Sequence, residues 1–175
     1  MVVTQQALVI VDMLNDFIDP KGALYCGAPG EHIVGFIRER LKAARKSGDL
    51  IIFMTDSHEE EDVEFDRYPR HAVTGSWGAE IVPELTPASG EHVVAKKTLS
   101  SFYGTRLEQL LAEAAVQTVE VVGVCTSICV MDLVGDLAAR GYDVVVPAAG
   151  VADFDAEFHE FALRRMARVY GAHVS

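Results

Sequence analysis

The feature of this sequence that most restricts its fold is a series of short, uninterrupted apolar runs. They cover residues 7–11, 50–54, 92–95, 119–124 and 142–146. A strand with one face in water alternates apolar and polar residues, whereas a strand buried on both faces is apolar throughout. The runs therefore predict the strands of a buried parallel sheet.

Helical patterns separate these runs. An apolar stripe before Gly48 predicts a helix over residues 31–47, and its members are Ile33, Ile37, Leu41 and Ala44. Three more helices are predicted: after Thr105, which has capping-box spacing to Glu108, over residues 127–140, and from Asp155 to about residue 169. Strands that alternate with helices predict a three-layer α/β fold. We expect a doubly wound, six-stranded parallel sheet of order 3-2-1-4-5-6 that ends near His173, with residues 1–175 forming one domain.

Composition excludes several classes of partner. The 26 acidic residues outnumber the 15 basic ones and give a formal net charge of −11, which argues against nucleic-acid binding. No apolar run is long enough to cross a membrane, and residues 1–6 lack the pattern of a signal peptide. Three cysteines do not make a disulfide framework, so we expect a protein of the reducing cytoplasm with no membrane partner.

Polar residues follow the predicted strands where they end. In chain order these residues are Asp12, Asp56, His58, Lys96, Cys125 and Cys129. The carboxyl ends of parallel strands meet at one edge of the sheet, where ligands bind, so these side chains should converge. Each also has an ordinary interpretation as a loop cap, a solvated strand end or a buried thiol. The set taken together predicts a site.

Cys129 is the candidate nucleophile because it falls in the first turn of the helix predicted from Ser127. Unpaired N–H groups and the helix dipole favour an anion there, so we expect a lowered thiol pKa, more so beside Lys96. Asp12 would accept the thiol proton, and the N–H groups would hold an oxyanion. The spacing of Cys125 and Cys129 lacks the two-residue gap of zinc ribbons and thioredoxin motifs, which disfavours a metal or redox pair.

A second set of candidates lies in a long charged segment, residues 55–90, and a loop of that length is usually functional. Asp56 and His58 are two apart and point the same way in an extended chain, and Glu64 and His71 follow. One carboxylate and two imidazoles, with Glu64 as a fourth group, suit Zn²⁺ or another divalent transition metal. The acidic run around Glu64 is equally compatible with solvated surface, so spacing alone leaves both interpretations open.

Six short motifs occur in a fixed order along the chain. They are residues 11–17 (VDMLNDF), 55–58 (TDSH), 68–71 (YPRH), 75–80 (GSWGAE), 96–103 (KKTLSSFY) and 123–130 (GVCTSICV). In this order they resemble the motifs of the isochorismatase-like cysteine hydrolase superfamily, most of all those of nicotinamidases. Over nearly the whole chain, the sequence is similar to that family.

The resemblance implies a catalytic triad of Asp12, Lys96 and Cys129. The family's lysine lies six residues before the Phe of a Ser-x-Phe element, here Phe102, which selects Lys96 over its neighbour Lys97. It also implies a cis peptide bond between Val124 and Cys125, with the N–H groups of Cys125 and Cys129 as oxyanion donors. Cys26, in a Gly-rich loop, is assigned no role.

The resemblance to nicotinamidases also implies a metal site. Its ligands would be Asp56, His58 and His71, with Glu64 as a variable fourth ligand, and the metal would be Zn²⁺, with Fe or Mn as alternatives. The metal would hold the ring nitrogen of a pyridine. The aromatic residues implied to contact the ring are Phe17 and Tyr68, with Tyr103 and Trp77 as further candidates. One departure from the family pattern is Ser57, where a Trp is usual.

The implied activity is hydrolysis of nicotinamide to nicotinate and ammonia through a thioester acyl-enzyme, as in NAD salvage, by a cytoplasmic homo-oligomer. One alternative is a metal-free amidase of the same superfamily that acts on another small amide, such as an N-carbamoyl compound. An alternative of another class is a non-catalytic or redox-sensing thiol protein on the same fold.

Overall fold

The computed structural model describes residues 5–175. Residues 1–4 lie outside the described part. The predicted domain, residues 1–175, and the segment predicted to lack a signal peptide, residues 1–6, both begin within these four residues. The strands are β1 (Gln5–Val11), β2 (Leu50–Asp56), β3 (His92–Lys96), β4 (Val116–Val124), β5 (Asp143–Val146), β6 (Val151–Ala152) and β7 (His173–Val174). They form one sheet in the order β3-β2-β1-β4-β5-β7, with β6 beside β4. Every pair of these strands is parallel.

The sheet is buried on both faces, which explains the uninterrupted apolar runs. Successive residues of a strand point to opposite faces. In β1, Val9 and Val11 pack into one core, and Leu8 and Ile10 pack into a second core on the other face. The predicted doubly wound α/β fold and strand order are confirmed. The predicted count of six strands is one short because β6 has two residues, too few to give a periodic pattern.

Helices cover both faces of the sheet. They are α1 (Asn15–Ile18), α2 (Gly27–Ser47), α3 (Leu107–Glu113), α4 (Met131–Ala139) and α5 (Ala156–Val169). The predicted stripe of α2 is buried in one core, while α3, α4 and α5 bury their apolar residues in the other. As predicted, α2 ends at Gly48, whose φ of 75° suits glycine. The predicted N-cap of α5 is also confirmed, because the Asp155 side chain accepts a hydrogen bond from the N–H of Phe158.

Two details of the predicted helices are wrong. The capping box before α3 does not form, because the hydroxyl of Thr105 donates to the carbonyl of Ser101, and Glu108 pairs with Arg140. The helix predicted over residues 127–140 is divided. Residues Thr126–Val130 make a wide π-type turn, Ile128 has non-helical angles (φ −118°, ψ −106°), and regular helix begins at Met131.

The long segment between β2 and β3 consists mainly of loop and three single 3₁₀ turns, Val63–Asp66, Trp77–Ala79 and Pro83–Leu85. A parallel bridge between His58 and Val73 folds its first half back beside the carboxyl end of β2. This arrangement brings the predicted metal ligands to the edge of the sheet where the other polar residues lie. None of the helices within residues 5–175 has the length and apolarity that a membrane crossing requires.

Candidate active site

Three predicted site residues meet at the carboxyl edge of the sheet. Nζ of Lys96, at the end of β3, lies 3.0 Å from Oδ2 of Asp12 and 3.5 Å from Sγ of Cys129. All three side chains are buried, with exposed fractions of 1%, 1% and 6% for Lys96, Asp12 and Cys129. Lys97 points away from the site into solvent and pairs with Glu59. The lysine that the structure brings to this group is therefore Lys96.

Asp12 is held in place by the neighbouring strand. Its own N–H donates to the carbonyl of Met54, and its Oδ1 accepts a hydrogen bond from the N–H of Asp56 at 2.9 Å. Its backbone has a φ of 50°, a left-handed conformation that is uncommon for residues other than glycine and that often marks functional positions. The Asp12 carboxylate is thereby directed at Lys96.

The charged side chains of this group shift the pKa values of one another. Burial, together with the nearby Asp56 carboxylate, raises the pKa of Asp12 to about 6, although Lys96 opposes the rise. Burial by itself disfavours the charged form of Lys96, but the carboxylates of Asp12 and Asp56 hold its pKa well above the usual value. Lys96 is therefore a permanent cation at neutral pH.

The expected lowering of the Cys129 pKa is wrong. Burial raises the pKa of the Cys129 thiol well above its ordinary value, and Lys96 only partly offsets this rise. Burial is the main cause of the raised pKa, and the two carboxylates that face the thiol, those of Asp12 and Asp56, add to it. The thiol also lies in the wide turn before Met131 rather than in the first turn of a regular helix, where a lowered pKa was expected. One oxygen each of Asp12 and Asp56 lies within 4.8 Å of Sγ. The resting thiol is neutral.

The turn that carries Cys129 follows an unusual peptide bond. The bond between Val124 and Cys125 is cis, as the resemblance implied. The carbonyl of Cys125 accepts hydrogen bonds from the N–H groups of Ile128 and Val130, and the carboxylate of Asp153 accepts one from Ser127 at 2.7 Å. These contacts fix the turn from two sides.

Cys26, to which the sequence assigned no role, lies beside this turn. Its Sγ is 3.6 Å from Sγ of Cys125, and both residues are buried free thiols. The contact with Cys26, followed by burial, raises the pKa of Cys125 far above its ordinary value. Cys125 is thus a neutral wall residue.

A second group of side chains matches the predicted metal ligands. One donor atom each of Asp56, His58 and His71 lies within 4.8 Å of the other two. Oδ2 of Asp56 is 3.9 Å from Nε2 of His58 and 3.8 Å from Nε2 of His71. The residues are buried, and Nε2 of His58 has no hydrogen-bond partner within the described chain. A buried ring nitrogen without a partner, beside a carboxylate and a second imidazole, fits a divalent transition metal.

The outer nitrogens of both imidazoles have partners. Nδ1 of His58 lies 3.1 Å from the Asp62 carboxylate, and Nδ1 of His71 lies 2.7 Å from the carbonyl oxygen of Pro69. Such outer partners are typical of metal-binding histidines. Glu64 lines the same space, but its carboxylate is not among the grouped donor atoms. The structure therefore assembles three of the four predicted ligands.

A cavity of about 70 Å³ is lined by residues of both groups. Its lining consists of Asp12, Phe17, Leu24, Asp56, Glu64, Tyr68, His71, Leu99, Val124, Cys125, Ile128, Cys129 and Phe154. Most of the lining side chains are apolar, and the carboxylates of Asp12 and Asp56 are buried among them, so the cavity suits a small molecule with an apolar body and one polar end.

Of the aromatic residues predicted at the cavity, Phe17 and Tyr68 line it and contact His71 edge to face. Tyr103 and Trp77 do not line it: Tyr103 is 75% exposed and Trp77 is 47% exposed.

Sequence reasoning missed several cavity residues. Leu24, Leu99, Ile128 and Phe154 come from four separate segments, and no spacing pattern relates them. Phe65, which does not line the cavity, was also missed, although its ring centroid lies 5.5 Å from that of His58 and 5.7 Å from that of His71.

Comparison with known proteins agrees with this geometry. The family model described as the isochorismatase domain matches residues 6–175. A relative from Bacillus subtilis (strain 168), described as the uncharacterised isochorismatase family protein PncA, is 34% identical over 181 residues, covering 98% of this chain and 99% of the relative.

Solved structures are similar over the same length. The nicotinamidase/pyrazinamidase PncA from Bacillus subtilis has a TM-score of 0.94 at 33% identity, covering 98% of this chain and 100% of that one. A pyrazinamidase of Pyrococcus horikoshii in complex with zinc has a TM-score of 0.91 at 29% identity, with 98% of each chain covered. An N-carbamoylsarcosine amidase from Thermoplasma acidophilum has a TM-score of 0.88 at 34% identity, covering 98% of this chain and 96% of that one. The chain therefore belongs to the isochorismatase family of hydrolases.

Proposed function

We propose that this protein hydrolyses a small carboxamide, with nicotinamide as the substrate, through an acyl-enzyme on Cys129. The observation that supports this most is the position of Lys96 Nζ, 3.0 Å from Asp12 and 3.5 Å from Cys129, two residues that line the apolar cavity. A proton acceptor, a fixed cation and a nucleophile are then within reach of one carbonyl group.

The first half of the reaction transfers the acyl group to sulfur. Because the resting thiol is neutral, Cys129 passes its proton to Asp12 as Sγ forms a bond to the carboxamide carbon. A carboxylate with a pKa of about 6 can both accept this proton and release it again near neutral pH. The backbone N–H groups of Cys125 and Cys129 hold the resulting oxyanion. Lys96 stabilises the ionised Asp12 before the proton transfer and the negative charge that develops on sulfur during it.

The second half regenerates the enzyme. The C–N bond breaks as the nitrogen takes the proton from Asp12, ammonia leaves, and a thioester remains on Cys129. Asp12 then removes a proton from a water molecule that adds to the thioester carbon. The C–S bond breaks, the proton returns to sulfur, and the carboxylic acid is released.

The residues around Asp56 orient the substrate in this proposal. Asp56, His58 and His71, with Glu64 as a fourth ligand, would hold a divalent transition metal, with Zn²⁺ the first choice. When bound, this metal would supply a Lewis-acid anchor for a pyridine ring nitrogen. Phe17 and Tyr68 pack beside His71 and would confine the ring, so that its carboxamide points to Cys129. The similarity to a pyrazinamidase in complex with zinc supports this arrangement.

A second candidate function is hydrolysis of an N-carbamoyl compound by the same three residues. The similarity to N-carbamoylsarcosine amidase, at 34% identity, favours it. Such a substrate has no ring nitrogen, and its turnover would not need the metal.

Ammonia release from three amides tests the proposal. Nicotinamide, benzamide and N-carbamoylsarcosine would be assayed with the wild type, the wild type stripped by a chelator, and Cys129→Ala. We expect nicotinamide to be preferred over benzamide, which has the same shape without the ring nitrogen, and chelation to remove this preference. Turnover confined to N-carbamoylsarcosine would support the second candidate. Full activity of Cys129→Ala would overturn both.

A further inference from the structure

We propose that Asp62 is a positioning residue of the metal site, whose carboxylate holds the His58 imidazole so that Nε2 faces the cation. Asp62 stands outside the predicted ligand set, in an acidic run that is equally compatible with solvated surface. Its role would be exerted on the metal of the proposed function and therefore rests on that function.

The two ring nitrogens of His58 have different surroundings. Nε2 is buried, lies 3.9 Å from Oδ2 of Asp56, and has no hydrogen-bond partner within residues 5–175. Nδ1 lies 3.1 Å from Oδ2 of Asp62. A neutral imidazole carries one N–H, and a carboxylate can only accept a hydrogen bond, so the hydrogen belongs on Nδ1. Asp62 thus selects the tautomer whose lone pair on Nε2 can bind a metal.

The Asp62 carboxylate is itself fixed. Its Oδ1 accepts a hydrogen bond of 2.9 Å from the N–H of Glu64 and caps the 3₁₀ turn Val63–Asp66. Both oxygens therefore have partners, and these partners hold the carboxylate in the orientation that faces His58. The same turn carries Glu64, the predicted fourth ligand, and Phe65, which packs against both imidazoles.

Asp62 also differs from its acidic neighbours in burial. Its side chain is 14% exposed, whereas those of Glu59 and Glu60 are 68% and 73% exposed. The run is solvated surface at these two glutamates and part of the site at Asp62.

The two imidazoles are not supported in the same way. His71 donates its outer hydrogen to a neutral backbone carbonyl, that of Pro69, while His58 faces an ionised carboxylate. A carboxylate makes the imidazole a stronger electron donor than a carbonyl does, and it orients the ring at the same time. Asp62 partners His58 through its side chain, so a substitution can remove this contact, whereas the backbone carbonyl that partners His71 stays when the side chain changes.

The test is the metal affinity of Asp62→Asn, with Glu61→Gln as the matched control. Glu61 is exposed and adjacent in sequence, so both variants lose one formal charge from the same loop. Asn keeps an oxygen that can cap the turn. We expect the Kd for Zn²⁺, measured by competition with a chromophoric chelator, to rise about 10–100-fold in Asp62→Asn and to stay nearly unchanged in Glu61→Gln.

The absorption spectrum with saturating Co²⁺ separates positioning from folding. We expect the visible bands of Asp62→Asn to shift because the His58 ring is no longer fixed, and those of Glu61→Gln to match the wild type. If Asp62→Asn does not fold, Asp62→Ser, whose hydroxyl can also cap the turn, replaces it with the same expectation. If Asp62→Asn and Glu61→Gln have the same Kd for Zn²⁺ and the same Co²⁺ spectrum, Asp62 does not position His58 and the proposal is overturned. A wild type that binds neither metal would instead overturn the proposed metal site.

Discussion

The ammonium group of Lys96 contacts Oδ1 of Asp56, so the lysine beside the thiol and a carboxylate of the candidate metal site form one buried ion pair. The other oxygen of Asp56 faces the two imidazoles at 3.8 and 3.9 Å. Asp56 therefore links the two groups of the site. A metal-bound ring would be held at a fixed position relative to the sulfur of Cys129.

Replacing Lys96 by Met should remove ammonia release and destabilise the fold. The carboxylates of Asp12 and Asp56 would lose their buried counter-charge, a loss that typically costs about 3–5 kcal/mol. Lys97→Met is the matched control, because the Lys97 side chain is 64% exposed and its ion pair with Glu59 lies in solvent. We expect that variant to stay within about 0.5 kcal/mol of the wild type. Urea unfolding and ammonia assays would show the contrast, and equal losses in the two variants would contradict it.

The rate should depend on the ionisation of Asp12. Burial and the Asp56 carboxylate raise the pKa of Asp12 to about 6, and the group accepts the thiol proton only when ionised. Its ionised fraction falls as pH drops through 6, so kcat/KM should fall about tenfold for each pH unit below that value. A pH–rate profile of nicotinamide hydrolysis measures this. An acid limb near pH 4, where an unperturbed aspartate titrates, would contradict this assignment.

Much of the site could be predicted because the carboxyl ends of all strands in a parallel sheet lie at the same edge. Asp12, Asp56 and Lys96 lie in separate parts of the chain, yet each comes at the carboxyl end of a strand. The strand order β3-β2-β1-β4 then makes them neighbours. Their convergence needs only the identification of strands from uninterrupted apolar runs.

The rest depends on tertiary contacts that leave no periodic signal. In the sequence, Asp62 is one of several acidic residues in a run. Its contact with His58 could not be predicted because it depends on the path of the loop between them. The reactivity expected of Cys129 was misjudged because its pKa depends on burial and on two facing carboxylates, which sequence position alone does not reveal. Phe154 reaches the cavity from the segment after β6, a strand too short to recognise.

The backbone beside Asp12 should tolerate no side chain at Gly123. This residue of β4 has a φ of 122°, and a Cβ there would collide with the carbonyl oxygen of Val11 on β1. Gly123→Ala should destabilise the fold by about 2–4 kcal/mol through overpacking and backbone strain, and should lower activity by displacing Asp12.

Gly35→Ala is the matched control for Gly123→Ala. Gly35 lies on the exposed side of α2 with nothing within 4 Å of a Cβ, so alanine should stabilise the helix by about 0.5–1 kcal/mol. Denaturant midpoints of the two variants measure the difference. Comparable stabilities would show that the close approach of β1 and β4 is not the constraint on Gly123.

The most direct test of the account is to trap the acyl-enzyme. Enzyme mixed with excess nicotinamide would be quenched in acid during turnover, digested and analysed by mass spectrometry. We expect one nicotinoyl group bound as a thioester to Cys129, lost in Cys129→Ala and retained in Cys125→Ala. An adduct on Cys125 or Cys26, or turnover in Cys129→Ala, would contradict the assignment of Cys129 as the nucleophile.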